Sequence, residues 1–195
     1  MSKLIFATNN QNKVEEVKNI VGSLFNVVSL KDAGIDIDIP EPYLTLEENA
    51  RAKSTSIFDL TKENCFSEDT GLEVEALNGE PGVHSSRYAG EGSDAKNNIE
   101  KLLKVLEGVK NRKARFRTVI SLILNGKEQY FEGICEGEII EEQKGHMGFG
   151  YDSVFMPDGS IKTFAEMDIN EKNIFSHRRK ATEQLASFLS HPGKK

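Results

Sequence analysis

Between two runs rich in strand-forming residues, 116–124 and 129–140, the sequence reads Asn125-Gly126. A two-residue type I′ turn needs a positive φ at both positions, which Asn and Gly tolerate best, and its twist matches that of paired strands. An antiparallel hairpin is therefore expected here. The chain begins differently. Residues 3–7 are a short apolar run suited to a buried strand, and Thr8-Asn9-Asn10-Gln11-Asn12-Lys13 reads as a polar loop. Val14, Val17, Ile20, Val21 and Leu24 then recur three or four apart, the spacing of one helix face.

The alternation continues. Residues 25–30 predict a strand, the acidic, proline-bearing stretch 36–43 a loop, and 46–60 a helix with Ala50, Ile57 and Leu60 inward. Strand pieces at 64–66 and 72–77 are expected to flank a turn, Ser67-Glu68-Asp69-Thr70-Gly71. A glycine-rich loop, 78–92, leads to a helix with Ile99, Leu102, Leu103 and Leu106 on one face. After the hairpin come a long loop around 145–152 and a closing helix, 176–190, with Ala181, Leu185, Phe188 and Leu189 inward. Strands alternating with helices, then a meandering middle, imply an α/β fold built on a mixed sheet. At 195 residues the chain suits one domain, or two lobes sharing a core.

Composition narrows the function. A net charge of -6 argues against general nucleic-acid binding, because duplex DNA needs clustered positive charge to displace its counterions. Cys65 and Cys135 sit far apart in apolar contexts and form no Cys-x-x-Cys pair, so both read as small buried hydrophobes. The apolar run at the N-terminus is too short for a signal peptide, and no stretch approaches the roughly 20 apolar residues of a membrane span. A cytoplasmic protein with no membrane partner is expected.

Four segments carry groups suited to chemistry. In the first loop, Thr8, Asn9, Asn10 and Asn12 supply small polar groups and Lys13 a cation near a helix start, a combination phosphate oxygens favour. A capped helix with polar surface residues reads the same. The Gly-x-x-x-x-Gly-Lys-Ser/Thr pattern of a P-loop is absent. Glu68 and Asp69 are adjacent carboxylates, as hard cations use, and one could serve as a general base; paired acids in a turn are also common decoration. Glu41, Glu47 and Glu48 are further acids, and Asn49 and Lys53 share one face of the following helix. Residues 145–152, Gly-His-Met-Gly-Phe-Gly-Tyr-Asp, would let backbone approach a flat ligand beside Phe149. Lys172, His177, Arg178 and Arg179 gather donors near the last helix start, an unfavourable place for cations unless they are used.

Taken together the blocks resemble the inosine triphosphate pyrophosphatases, also called XTP/dITP diphosphatases. The resemblance rests on Phe6-Ala7-Thr8-Asn9-Asn10 with Lys13, Glu47-Glu48-Asn49-Ala50 with Lys53, and Glu68-Asp69-Thr70-Gly71-Leu72. It continues through Pro81-Gly82-Val83, Ser85, Arg87-Tyr88, Gly148-Phe149-Gly150-Tyr151-Asp152, Glu171-Lys172 and Ser176-His177-Arg178, covering nearly the whole chain. It implies an elongated mixed β-sheet with flanking helices, in two lobes around a central nucleotide cleft, forming a single nucleotide pyrophosphatase domain and a homodimer. It also implies hydrolysis of ITP, dITP and XTP to the monophosphate and pyrophosphate with Mg2+.

By the same resemblance Thr8, Asn9, Asn10, Gln11, Asn12, Lys13 and Lys53 would hold the triphosphate, and Thr70 would also bind substrate. Asp69 would be the base and a magnesium ligand, with Glu41 and Glu68 as further ligands. Phe149, Gly150, Tyr151, Asp152, Lys172, His177 and Arg178 would form the base pocket. The chain departs from relatives at Ile39-Pro40-Glu41-Pro42-Tyr43, where Glu41 is the single matching acid, at Glu68 in place of Asp, and at His84 in place of Tyr. Three other readings are open: a non-catalytic nucleotide sensor, an RNA-binding module using Arg112-Lys113-Ala114-Arg115-Phe116-Arg117, and a Maf-like pyrophosphatase of modified pyrimidine nucleotides.

Overall fold

The structure, a computed structural model, describes residues 3–21, 25–92 and 94–191. The strands are β1 (Lys3–Phe6), β2 (Asn26–Ser29), β3 (Cys65–Val74), β4 (Pro81–Gly82), β5 (Lys113–Leu124), β6 (Lys127–Ile139) and β7 (Phe155–Pro157). The helices are α1 (Gln11–Val21), α2 (Leu46–Thr61), α3 (Ala95–Val105), α4 (Ile169–Phe175) and α5 (His177–Ser190). The strands hydrogen-bond in the order β2-β1-β3-β5-β6-β7, with β4 on β3. β1 runs parallel to β2 and β3, whereas β3–β4 and β6–β7 are antiparallel, so the expected mixed α/β sheet is present.

Local chemistry explains the boundaries. Asn125 and Gly126 both take positive φ, 52° and 75°, and join β5 to β6 as the Asn-Gly pair predicts. Asn10 Oδ1 accepts from the backbone N–H of Asn12 (3.0 Å) and Lys13 (3.3 Å), satisfying two orphan donors of α1. The Thr45 hydroxyl caps α2 by accepting from Glu48 N–H, and donates to the Glu48 carboxylate, and Lys62 closes that helix in the left-handed region.

The chain divides into two compact units. The first, Met1–Asp69 with Thr118–Gly133 and His177–Lys195, has a core in which Leu4, Phe6, Val14 and Val17 meet Phe66, Ile120 and Leu185. Phe6 and Phe66 stack there at 4.3 Å. A second cluster of this unit joins Ile5, Leu30, Ile57, Cys65 and Ile123. The second unit, Thr70–Arg117 with Ile134–Ser176, centres on Leu72, Leu102, Phe116, Phe155 and Phe164. Cys65 and Cys135 are both free and buried.

Several expectations need correction. Ser67-Glu68-Asp69-Thr70-Gly71 is the middle of one ten-residue strand, β3, and not a turn. Leu60 points outward, 59% exposed, while Leu46, Asn49, Lys53 and Ser54 join Ala50 and Ile57 on the buried face of α2. The 78–92 loop contains β4 and a 3-10 turn at Ser85–Arg87. Arg112, offered above as part of an RNA-binding run, is turned inward just before β5 and donates to the carbonyls of Leu106, Ile139 and Ile140. Arg115 and Arg117 both pair with Glu73, so part of the basic run is held by an acid of the neighbouring strand. Leu24 lies outside the described residues. Among the described residues no helix is long and apolar enough to cross a membrane.

Candidate active site

Successive residues of a strand point to opposite faces, and β3 uses this to separate its two acids. Asp69 shares a face with Cys65 and Ser67, and all three reach α2. The Cys65 thiol donates to Ser54 O, the Ser67 hydroxyl donates to Ala50 O, and Lys53 Nζ donates to Asp69 Oδ1 at 3.2 Å. Ser54 itself hydrogen-bonds Ser121 of β5 at 2.8 Å. The helix is thus fixed to the sheet by polar bonds on both sides of Lys53. The same ammonium donates to Glu41, carried by the segment before α2.

The second oxygen of Asp69, Oδ2, is buried and has no hydrogen-bond partner. Burial pushes the Asp69 carboxyl above its usual range, and Lys53 does not offset this because Glu41 places a like charge on the same ammonium. Lys53 stays firmly charged: burial opposes its charge, but Asp69 and then Glu41 outweigh it.

Glu68 faces the other way. Its two oxygens accept from Arg178 Nε at 3.0 and 2.9 Å, and Lys13 Nζ lies 3.0 Å from Oε1. Arg178 also bonds Glu16 of α1. Burial alone would raise the Glu68 carboxyl, yet Arg178 and then Lys13 hold it down at about 2. Arg178 and His177, 2% and 3% exposed, open α5. They sit close because Gly133 of β6 has no side chain: a Cβ there would lie 2.0 Å from His177 O. Thr8 is partly buried, and its hydroxyl accepts from Asn10 N–H; Asn9, Asn10, Gln11 and Asn12 are exposed at the start of α1.

In the second unit, Asp152 and Lys172 are nearly sealed from solvent and pair at 2.8 Å. Asp152 Oδ2 also accepts from Phe149 N–H at 2.9 Å. The Lys172 ammonium stands 5.2 Å from the Phe149 ring centroid and 5.4 Å from that of Phe164. Gly148 makes this possible, since a Cβ there would come 2.1 Å from Asp152 Oδ2 and its φ is +76°. Tyr151 is buried and its hydroxyl donates to Ser85 O at 2.8 Å. Gly150 closes the turn with φ 60°, and Thr70 is half-buried on β3. A hollow of about 550 Å³ in this unit is lined by Glu73, Lys113, Arg115 and Glu136 and by none of the expected site residues.

The donors present fit a hard cation in one place. Among the described residues no cluster of three or more His, Cys, Asp or Glu forms a ready cage. Magnesium does not need one, because it takes one or two carboxylates and completes its shell with water and phosphate oxygens. The orphaned Asp69 Oδ2, with Glu41 beside the same lysine, suits that role. Glu68 suits it less, its oxygens being taken by Arg178 and Lys13. Sequence reasoning missed Glu16 and the hydroxyls of Ser54, Ser67 and Ser121, for which no local pattern exists.

The sequence model described as the Ham1 family matches residues 4–188. A dITP/XTP pyrophosphatase of Flavobacterium johnsoniae is 48% identical over 188 residues, 96% of this chain and 98% of that protein. One from Porphyromonas gingivalis is 49% identical over 190 residues, 97% and 98% of the two chains. The solved structure of the Staphylococcus aureus Ham1 protein superposes with a TM-score of 0.89 at 38% identity, covering 97% of this chain and 99% of its own.

Proposed function

This chain belongs to the Ham1 family, and from that we propose that it is a dITP/XTP pyrophosphatase, a hydrolase that also takes ITP and releases the nucleoside monophosphate and pyrophosphate. The observation that carries the chemistry is Asp69: a buried carboxylate with one oxygen held by Lys53 and the other unpaired. A carboxylate whose proton affinity is raised by burial is a better base, and the free oxygen can orient a water for in-line attack at the α-phosphorus.

The remaining roles follow from charge. Lys53 and Lys13 supply positive charge toward the triphosphate, with Thr8 to Asn12 and Thr70 offering neutral donors. Asp69 and Glu41 would hold magnesium, with Glu68 acting through Lys13. When bound, the cation offsets charge on the phosphate oxygens and the leaving pyrophosphate. For the base, Phe149 offers a stacking face, with backbone at Gly150 and Tyr151 and the Asp152–Lys172 pair as polar groups for its edge; His177 and Arg178 are assigned to substrate binding as well. A 6-keto acceptor satisfies such donors, whereas adenine's 6-amino group would leave them unpaired, a mismatch that can discriminate by about 10⁴. The whole chain would work as one nucleotide pyrophosphatase domain and as a homodimer.

The test is pyrophosphate release from ITP, dITP, XTP, ATP, GTP and modified pyrimidine triphosphates, with and without magnesium. The expected result is magnesium-dependent release with kcat/KM highest for dITP, XTP and ITP. Equal rates on ATP overturn the assignment, tight ITP binding without release points to a sensor, and a preference for modified pyrimidines points to a Maf-like enzyme.

A further inference from the structure

Asn49 is completely buried at the start of α2, yet its side chain serves no helix cap, because Thr45 and Glu48 already provide one. Instead its amide makes two bonds to a single residue outside the helix. Asn49 Oδ1 accepts from Tyr43 N–H at 3.0 Å, and Asn49 Nδ2 donates to Tyr43 O at 3.1 Å. This pins both backbone polar groups of Tyr43, a residue that is itself 45% exposed.

The pinned residue ends an arm that carries Glu41. Upstream, Ile35, Ile37 and Ile39 alternate inward against the Ile5–Ile57 cluster while Asp36 and Asp38 face solvent. Glu41 stands between Pro40 and Pro42. Each proline fixes its own φ and restricts the residue before it to extended backbone, so the Pro-Glu-Pro stretch is stiff. A stiff arm held at both ends delivers its middle side chain to one place. Here that place is Lys53, one helical turn beyond Asn49 on the same face, where Glu41 meets the ammonium that also holds Asp69.

We propose that Asn49 is a positioning residue for the reaction: its amide clamps Tyr43 and thereby presents Glu41 to Lys53 and Asp69. This rests on the function proposed above and deepens it. The side chain touches no reacting atom and acts through Glu41.

A double-mutant cycle tests it. Glu41→Gln and Asn49→Ala are each expected to lower kcat/KM on dITP by about tenfold to a hundredfold, the range for disturbing a ligand or the group that orients it. The double variant is expected to be no slower than Glu41→Gln alone, because Asn49 has nothing left to position. A merely structural Asn49 would give losses that multiply, and that result overturns the proposal. Amide hydrogen exchange supplies a readout that needs no turnover: Asn49→Ala should accelerate exchange in residues 41–44 and leave 50–60 protected. Unchanged exchange at 41–44 also overturns it. If the wild type releases no pyrophosphate from dITP while the exchange result holds, the functional reading fails and the clamp stands.

Discussion

Glu68 and Asp69 are neighbours in sequence with opposite acid–base characters, and partners set the difference. Glu68, depressed to about 2 by Arg178 and Lys13 against the effect of burial, contributes stability that is fully present above its unfolded value near 4.5. That contribution is lost as pH falls from there toward 2. Glu68→Gln should therefore destabilise the protein at neutral pH by roughly 3 kcal/mol, since it leaves a buried guanidinium with Glu16 as its one carboxylate partner, with the gap to wild type closing below pH 4.5. Urea titrations at pH 7 and pH 3 measure this; an equal gap at both would exclude the pair. Asp69 has the opposite sign. Its raised affinity for a proton means its charged form opposes folding at neutral pH. Asp69→Asn should melt no lower than wild type at pH 7 while kcat falls by about 10² to 10⁴, the loss expected for a general base. Near-normal turnover would remove Asp69 from the mechanism.

Among the elements, β3 and α2 act as one piece. The bonds from Cys65 and Ser67 to helix carbonyls set how far α2 can slide along the strand, and Lys53 lies between those contacts. Ser67→Ala removes one of them without adding bulk and should cost about 0.5–1.5 kcal/mol in urea unfolding, the net value of a typical hydrogen bond; no loss would mean the hydroxyl bond contributes nothing. The β5–β6 hairpin was legible from sequence because Asn125-Gly126 carries its own turn chemistry. The middle of β3 was not, because a buried strand written Ser-Glu-Asp-Thr-Gly makes sense only once each polar group has a partner. Those partners lie outside any local pattern: Lys53 is 16 residues from Asp69, and Arg178 is 110 residues from Glu68. Leu60 misled for a related reason. Polar Asn49, Lys53 and Ser54 occupy the buried face of α2, so hydrophobicity alone points to the wrong stripe.

For the whole molecule, motif order identified the family and the mixed sheet, while the assignment of residues to two cores emerged only in three dimensions. Each core holds one of the two cysteines: Cys65 packs in the first unit and Cys135 in the second. Disulfide exchange requires a thiolate, and burial pushes the Cys65 thiol up to about 12. Cys65 for that reason, and Cys135 because it is buried in its own core, should stay silent toward a disulfide reagent in the native enzyme and react once their surroundings open. Peptide mass spectrometry after a labelling pulse would time the two separately, and Cys65 labelling as fast in buffer as in urea would contradict its enclosure. Evolution has left this protein with a matched pair of internal clocks, one per core, that report without any engineered probe whether its halves come apart together or in turn.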